Sequence, residues 1–124
     1  MLTKHLLKLA PHRLHDFIFK ILIDKTINRN PNVCQRLREI DGKTFLLEAG
    51  DIHKNYSFYV EDERVRVDPE RKRMPDVVMQ GDFDTFLRLF LRKADADSLF
   101  FSRRLVIKGD VKTSVFFKNL LEHL

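Results

Sequence analysis

The stretch DVVMQGDFDTFLRLFLRKADADSLFFSRRLVIKGD, residues 76–110, changes its hydrophobic period twice, and these changes decide the fold class. Its first residues, 76–82, form a short apolar run that is typical of a strand. From Asp82 onward the apolar residues recur every three or four positions, which predicts a helix. The apolar face of this helix is marked by Phe83, Phe86, Leu87, Phe90 and Leu91. A second short helix is predicted to begin near Asp97, and a strand is predicted at 105–108.

The residues before this stretch predict two helices and three strands. A helix opens at Pro11, because proline is favoured in the first helical turn. The apolar residues that recur at helical spacing in it are Leu14, Phe17, Ile18, Ile21 and Leu22. A shorter helix ends near Gly42. Alternating apolar and polar residues predict strands at 43–49, 55–60 and 64–68, and the short link EDE predicts a hairpin between the last two.

The last predicted element is a helix that follows a turn at Gly109-Asp110. Its apolar positions are Phe116, Phe117, Leu120, Leu121 and Leu124. The order along the chain is helices, four strands, a helix, a strand and a helix. This order predicts an α+β domain with helices on one face of a mostly antiparallel sheet.

The excess positive charge is concentrated in the N-terminal third. The chain of 124 residues has a net charge of +5, yet residues 1–38 carry eight Lys or Arg against two Asp. A general nucleic-acid binder more often spreads its cations over the folded surface. Two interpretations stay open: a helix lying on an anionic membrane surface, or a helix covering the core with a solvated basic face. The predicted membrane-surface residues are Lys4, Lys8, Arg13 and Lys20.

The sequence favours neither an enzyme nor a metal protein. Cys34 is the single cysteine, which excludes an internal disulfide and suits a reducing, cytoplasmic setting. His12, His15 and Asp16 could share a helix face, but no second cluster completes a metal site. The isolated glycines form no phosphate-binding loop, and no nucleophile has a recognisable base. No run of about 20 apolar residues is present. No cofactor and no metal are therefore predicted.

Phenylalanine is concentrated in the second half of the chain. Seven of the eleven phenylalanines lie between 83 and 117, on elements that must meet at one face of the sheet. The ordinary role of such residues is the core. The alternative is an aromatic surface with room for an apolar ligand.

The stretch at 76–110 resembles the sterol carrier protein type 2 family. That family shows an Asp-led strand, a helix with spaced apolar residues, a Phe-containing link and a strand ending in Lys-Gly-Asp. The matching residues are Asp95, Asp97, Leu99-Phe100-Phe101, Arg103-Arg104-Leu105, Ile107, Gly109-Asp110 and Lys118-Asn119. The resemblance implies a five-stranded sheet covered by helices that enclose an apolar tunnel for lipid. It also implies one domain, in which a basic helical segment, 1–42, packs on a lipid-binding core, 43–124.

The resemblance further implies residues for this tunnel. Phe100 and Phe101 would divide between the core and the tunnel, and Arg103 and Arg104 would hold a polar head at the rim. Solvated strand ends are the alternative role of the two arginines. The pocket candidates are Phe83, Phe86, Phe90, Phe100, Phe101, Leu105, Ile107, Phe117 and Leu121.

Within the family, the stretch is most similar to accessory factors of ubiquinone biosynthesis. This implies a non-enzymatic protein that binds polyprenylated intermediates on the oxygen-independent route, together with the other proteins of that pathway. The expected location is the cytoplasm, with or without attachment to a membrane surface. The alternatives are a general carrier of phospholipid or fatty acyl chains and, less favoured, a small lipid-metabolising enzyme. Nucleic acid is not an expected partner.

Overall fold

The computed structural model of the protein describes residues 11–124. Lys4 and Lys8 lie outside the described residues, so their predicted membrane contact stays a prediction. The helices are α1 (His12–Ile23), α2 (Pro31–Arg36), α3 (Phe83–Phe90), α4 (Ala96–Phe101) and α5 (Val111–Leu121). A π-helical turn (Asp24–Asn28) continues α1, and a 3-10 turn (Leu37–Ile40) continues α2. The strands are β1 (Thr44–Ala49), β2 (Lys54–Glu61), β3 (Arg64–Val67), β4 (Val77–Gly81) and β5 (Val106–Gly109).

Within the described residues, five strands form one sheet in the order β3-β2-β1-β4-β5. Antiparallel pairs join β1 to β2, β2 to β3 and β4 to β5, whereas β1 and β4 run parallel. The predicted α+β fold with a five-stranded, mostly antiparallel sheet is therefore confirmed. Because β3 and β4 run in the same direction, the link at 68–76 carries the chain from one end of the sheet to the other.

The link between β2 and β3 is the hairpin that the sequence predicts. Glu61 pairs with Arg64, which leaves Asp62 and Glu63 as a two-residue loop. Both loop residues have a positive φ, of 53° and 60°. Positive φ at both positions is the backbone of a type I′ turn, whose twist matches that of the flanking strands.

The core lies on one face of the sheet. Phe45 of β1 and Phe58 of β2 are register partners, and their ring centroids lie 5.1 Å apart. Phe117 of α5 contacts this pair, with its ring centroid 4.4 Å from that of Phe45. Phe19 of α1 stacks on Tyr56 of β2 at 4.4 Å. Since Tyr56 and Phe58 are two residues apart on one strand, α1 and α5 cover the same face.

The buried face of α1 differs from the stripe that the spacing predicts. The buried residues of α1 are His15, Phe19, Leu22 and Ile23. Leu14, Phe17 and Ile21 of the predicted stripe are exposed instead. Apolar residues occupy most of the circumference of this helix, so their spacing does not show which side faces the core. The stacking of Phe19 on Tyr56 determines the side that is buried.

The predicted apolar face of α3 is correct except at its end. Phe83, Phe86 and Phe90 are buried as predicted, but Leu89 is buried where Leu91 was expected, and Leu91 is exposed. The reason is that α3 ends at Phe90, so Leu91 no longer follows the helical period.

The described part of the N-terminal segment contributes to the same core as the sheet. Its buried apolar residues beyond α1 are Ile27, Val33, Leu37 and Ile40. The Asn28 side-chain Nδ2 donates to the Val65 backbone carbonyl at 2.9 Å, and the Val65 N–H donates to the Asn28 side-chain Oδ1 at 2.8 Å. These two bonds cover the outer edge of β3 in the place of a further strand. A division of the chain at residue 42 stays a prediction.

Gly109 ends β5 in a conformation that other residues rarely adopt. Its φ is +113°, and a Cβ at this position would lie 2.2 Å from the backbone oxygen of Asp76. We expect Gly109→Ala to lower the free energy of unfolding by about 1–3 kcal/mol through backbone strain, and by more through the clash. Denaturant unfolding of the two proteins measures the difference.

Gly50→Ala is the matched control for this change. A Cβ at Gly50 meets nothing within 4 Å, so its unfolding free energy should change by less than about 1 kcal/mol. Equal effects of the two substitutions would contradict the close approach of Gly109 to Asp76.

Candidate functional site

The outer part of the candidate site is a surface groove between α4, β5 and α5. The groove has a volume of about 230 Å³. Its lining residues are Phe100, Ile107, Gly109, Val111, Ser114, Val115 and Lys118. Most of these side chains are apolar, and Lys118 is the charged residue among the described residues that line the groove. Its wall therefore suits a hydrocarbon chain with a polar end.

A gap in the core lies directly beneath the groove. Its lining residues are Val77, Met79, Ala96, Leu105, Ile107, Ser114, Phe117, Lys118 and Leu121. The gap has no room for a water molecule. Ile107, Ser114 and Lys118 line both the groove and the gap. These three residues therefore mark the route by which an apolar chain would pass from the surface towards the sheet.

Helix caps position the two helices that border the groove. The Asp95 carboxylate accepts a hydrogen bond from the Ser98 N–H at 3.1 Å and begins α4. The Asp110 carboxylate accepts one from the Thr113 N–H at 3.2 Å and begins α5. The hydrogen bonds from Thr113 hold the pKa of Asp110 below its ordinary value. Asp95 is therefore the N-cap of α4, a common role for aspartate at the start of a helix.

An ion pair joins the same two helices across the groove. Lys118 Nζ of α5 donates to Asp97 Oδ1 of α4 at 2.6 Å. This hydrogen bond raises the pKa of Lys118, and burial opposes the rise. Both side chains are partly exposed, so water screens the pair and its contribution to stability is small. Beneath the pair, α4 buries Ala96 and Leu99.

The structure brings together part of the predicted pocket. Leu105, Ile107, Phe117 and Leu121 surround the gap, and Phe100 and Ile107 line the groove. Phe83, Phe86 and Phe90 are buried in the core but line neither the groove nor the gap. Within the described residues, 11–124, the predicted pocket residues do not enclose an open tunnel. The lining role of each predicted residue stays a prediction.

Phe100 and Phe101 do not divide between the core and a tunnel as expected. Their rings stack on each other at 5.7 Å, and Phe101 is 84% exposed. Leu99 is the residue of this run that packs into the core. The short α4 turns one side to the core, and Leu99 lies on that side because Asp95 fixes where the helix begins.

Arg103 and Arg104 line a different hollow. They border a broad, open groove of about 860 Å³ that also contains Glu48, Asp82 and Gln80. The Gln80 amide donates to Glu48 Oε1 at 2.6 Å across the uncovered side of the sheet. This groove is more polar than the one beside α5, and the two arginines do not line the apolar groove. Their predicted contact with a lipid head stays a prediction.

A third hollow lies beneath α1, and the sequence does not predict it. It has a volume of about 280 Å³ and is lined in part by Asp16, Phe19, Lys54 and Tyr56. Lys54 Nζ lies 3.3 Å from Asp16 Oδ1. Burial, and then the neighbouring Asp16 carboxylate, raise the pKa of Tyr56. α1 and β2 are far apart in the chain, so no local pattern could have shown this cluster.

Acidic residues near α4 are occupied by protein groups. Within residues 11–124, carboxylate oxygens of Asp95, Asp97 and Glu122 lie within 4.8 Å of one another. The Asp95 carboxylate accepts from Ser98, and Asp97 accepts from Lys118. These bonds account for the positions of Asp95 and Asp97. Cys34 is likewise a packing residue, because it is buried and its thiol donates to the Ile27 carbonyl at 3.3 Å.

The exposed side of α1 carries the remaining predicted membrane residues. Arg13 and Lys20 are exposed, beside the exposed Phe17. Their contact with a membrane surface stays a prediction. None of the helices in the described part of the chain is long and apolar enough to cross a membrane.

The model of the SCP-2 sterol transfer family matches residues 23–122. The chain belongs to the SCP-2 sterol transfer family. The resemblance of residues 76–110 to this family is thus confirmed, and the matched region also includes the π-helical turn, α2 and the 3-10 turn before β1. The groove and the gap of this SCP-2 domain lie wholly within the matched residues.

The relatives of this SCP-2 domain include proteins of ubiquinone synthesis. The ubiquinone biosynthesis accessory factor UbiT of Escherichia coli is 31% identical over 86 residues, which are 69% of this chain and 48% of UbiT. The chain spans about half the length of the curated relatives it matches. The solved structure of the ubiquinone synthesis protein UbiJ-SCP2 matches with a TM-score of 0.71 at 18% identity, covering 91% of this chain and 98% of that one.

A second solved structure shows the same fold with a lipid. Sterol Carrier Protein-2 of Aedes aegypti, in complex with the C16 fatty acid palmitate, matches with a TM-score of 0.58 at 12% identity. The match covers 83% of this chain and 96% of that one. At these identities both solved structures show the fold alone.

Truncation of a buried phenylalanine at the gap, Phe117, or beside it, Phe90, should destabilise the core. Phe90 and Phe117 are fully buried, and their rings meet edge to face at 6.4 Å. We expect Phe90→Ala and Phe117→Ala each to lower the unfolding free energy by about 3–5 kcal/mol. Phe101→Ala, at the exposed position of the same residue type, should change it by less than about 0.5 kcal/mol. Denaturant unfolding without ligand compares the three, and a small effect at Phe117 would show that the gap already tolerates missing volume.

Proposed function

We propose that the protein binds the apolar chain of a lipid in the groove between β5 and α5 and acts as a non-enzymatic accessory factor of ubiquinone biosynthesis. The observation that carries the proposal is the continuity of an apolar surface groove with a gap against the sheet. Ile107, Ser114 and Lys118 belong to both. The similarity to UbiT supports the pathway.

Lipid binding in this groove requires that the walls separate. Ligand pockets that enclose most of a small molecule have volumes of about 300–1,000 Å³, and the groove has about 230 Å³. The gap beneath it has no room for a water molecule, so a chain enters by moving α4 away from β5. Each Å² of apolar surface that the chain covers contributes about 25 cal/mol. The groove encloses part of a long prenyl chain, and the rest stays outside.

The proposed ligand is a polyprenylated intermediate of the oxygen-independent route. UbiT and UbiJ-SCP2 are proteins of ubiquinone synthesis, and this supports a prenyl chain over other hydrocarbons. The second candidate is a general carrier of fatty acyl chains or phospholipid, which the palmitate complex of the Aedes aegypti protein supports. Both candidates use the same apolar groove and differ in the chain that it takes.

An enzymatic role is not part of the proposal. The charged groups that border the groove are an ion pair between Lys118 and Asp97, and the hydroxyl beside them belongs to Ser114. Lys118 is protonated and bound to its partner, so it does not act as a base for this hydroxyl. Turnover of a lipid substrate by the purified protein alone would favour an enzyme.

The proposal predicts that a carboxylate placed among the apolar residues of the groove weakens lipid binding. Val115 lines the groove and is 47% exposed. Val115→Asp should weaken binding of a fluorescent prenyl probe at least about tenfold, because a carboxylate would have to lose its water to contact the chain. Probe fluorescence is titrated in solution without vesicles, and mass spectrometry of an organic extract identifies lipid retained by protein purified without detergent.

Val106→Asp is the matched control for the groove. Val106 is 39% exposed and lines the polar groove on the other side of β5. This change should leave probe binding within about twofold of the parent protein. Equal loss in both variants, or no probe binding by the parent, would refute the groove as the lipid site.

A further inference from the structure

We propose that the ion pair between Lys118 and Asp97 is a latch, which holds α4 against α5 and opens when a lipid chain enters the gap beneath. Lys118 Nζ lies 2.6 Å from Asp97 Oδ1. The latch rests on the proposed lipid-binding function. It adds the contact that limits entry into the site.

The ion pair lies at the edge of the gap. Lys118 lines both the groove and the gap, and Ala96 lines the gap from the side of α4. Because the gap has no room for a water molecule, a hydrocarbon chain that enters it has to move Ala96 away from the sheet. Asp97 is the next residue of the same helix and moves with Ala96. The distance between Asp97 and Lys118 therefore increases as the gap opens.

Turns at both ends connect α4 to the rest of the chain. Arg92, before the helix, and Arg103, after it, have positive φ values of 56° and 63°. Residues at the ends of an element are the usual places where a chain absorbs the movement of that element. A hollow of about 220 Å³ lies at the start of α4 and is lined in part by Ala94, Asp95 and Glu122. α4 therefore has free space beside it into which it can move.

The two ends of α4 are held by different contacts. At its C-terminal end, the backbone N–H groups of Arg104 and Leu105 donate to the Leu99 carbonyl at 3.0 and 3.1 Å. At its N-terminal end, within residues 11–124, the side-chain hydrogen bond that joins α4 to another helix is the one between Asp97 and Lys118. Loss of the ion pair therefore releases the N-terminal end, while the backbone bonds keep the other end in place.

The other carboxylates near Lys118 do not replace Asp97. Oxygens of Asp95, Asp97 and Glu122 lie within 4.8 Å of one another. Asp95 caps α4 and accepts from the Ser98 N–H at 3.1 Å. Glu122 follows Lys118 by four residues, at the end of α5, so a contact between these two would not join the helices. Asp97 is therefore the carboxylate whose removal releases α4.

Hydrogen exchange of the protein without lipid tests whether the pair holds α4. Asp97→Asn removes the pair and keeps the size of the side chain. The amides of α4 should then exchange about two- to fivefold faster, since a partly exposed ion pair stabilises by this factor. Lys118→Gln removes the same pair from the side of α5 and should have the same effect on α4. Asp97→Glu retains the charge and should exchange as the parent protein does.

Asp84→Asn is the matched control. Asp84 lies in the first turn of α3, as Asp97 does in α4, and its carboxylate accepts from Arg88 at 2.9 Å. This pair lies within one helix, and neither residue lines the groove or the gap. The substitution removes the same charge from a first turn without releasing α4, so the exchange of α4 should not change.

Lipid entry is measured with the fluorescent prenyl probe in solution. Because the pair is broken while the chain occupies the gap, Asp97→Asn should bind the probe about two- to fivefold faster and more tightly than the parent protein. Sodium chloride screens the ion pair, so it should accelerate association with the parent more than association with Asp97→Asn. Asp84→Asn should associate at the rate of the parent.

Unchanged exchange of α4 in Asp97→Asn or in Lys118→Gln would overturn the latch, because the pair would then not hold the helix. Faster exchange in both variants with an unchanged rate of probe association would also overturn it, because α4 would then not limit entry. A parent protein that binds no probe would refute the proposed function and, with it, the role of the pair in lipid entry. The exchange of α4 needs no lipid, so it distinguishes this failure from a failure of the latch itself.

Discussion

The contact of Phe117 with Phe45 fixes α5 on the sheet, and the candidate site depends on this contact. The two rings lie 4.4 Å apart, and Phe58 extends the cluster at 5.8 Å from Phe117. Ser114 and Leu121 lie three residues before and four residues after Phe117, so the helical period places them on the same face. The anchored ring therefore determines which residues of α5 border the gap.

The two sides of the core differ in how firmly they are held. On the α1 side, Phe19 stacks on Tyr56, and His15 lies 4.9 Å from the ring of Phe83. On the α4 side, the helix has six residues and buries two of them, Ala96 and Leu99. The ion pair between Lys118 and Asp97 adds little, because water screens it. A wall that moves to admit a ligand has to belong to the less stable part of a protein. The weaker packing of α4 is therefore compatible with its place as one wall of the groove.

The edges of the sheet are treated differently as well. Asn28 covers the edge of β3 through two hydrogen bonds to Val65. The edge at β5 carries Lys108 and lies beside the groove. A charged residue on an edge strand discourages pairing with another strand.

The sequence by itself determined the elements and their order. Alternation in 55–60 and 64–68 predicted two strands, the link EDE predicted their hairpin, and the change of period after Asp82 predicted α3. These features depend on neighbours within a few residues, because backbone geometry repeats every two residues in a strand and every 3.6 in a helix. The resemblance of 76–110 to a known family added the covered five-stranded sheet.

The tertiary structure alone decided which apolar residues meet. A periodic pattern gives the spacing of a helix face, but its direction is set by partners far away in the chain. Phe19 became a core residue, and Phe17 an exposed one, because Tyr56 lies beneath α1. Leu99 entered the core in place of Phe100 or Phe101. Arg103 and Arg104 came to line the polar groove on the other side of β5, because the turn after α4, in which Arg103 has a positive φ, carries them there.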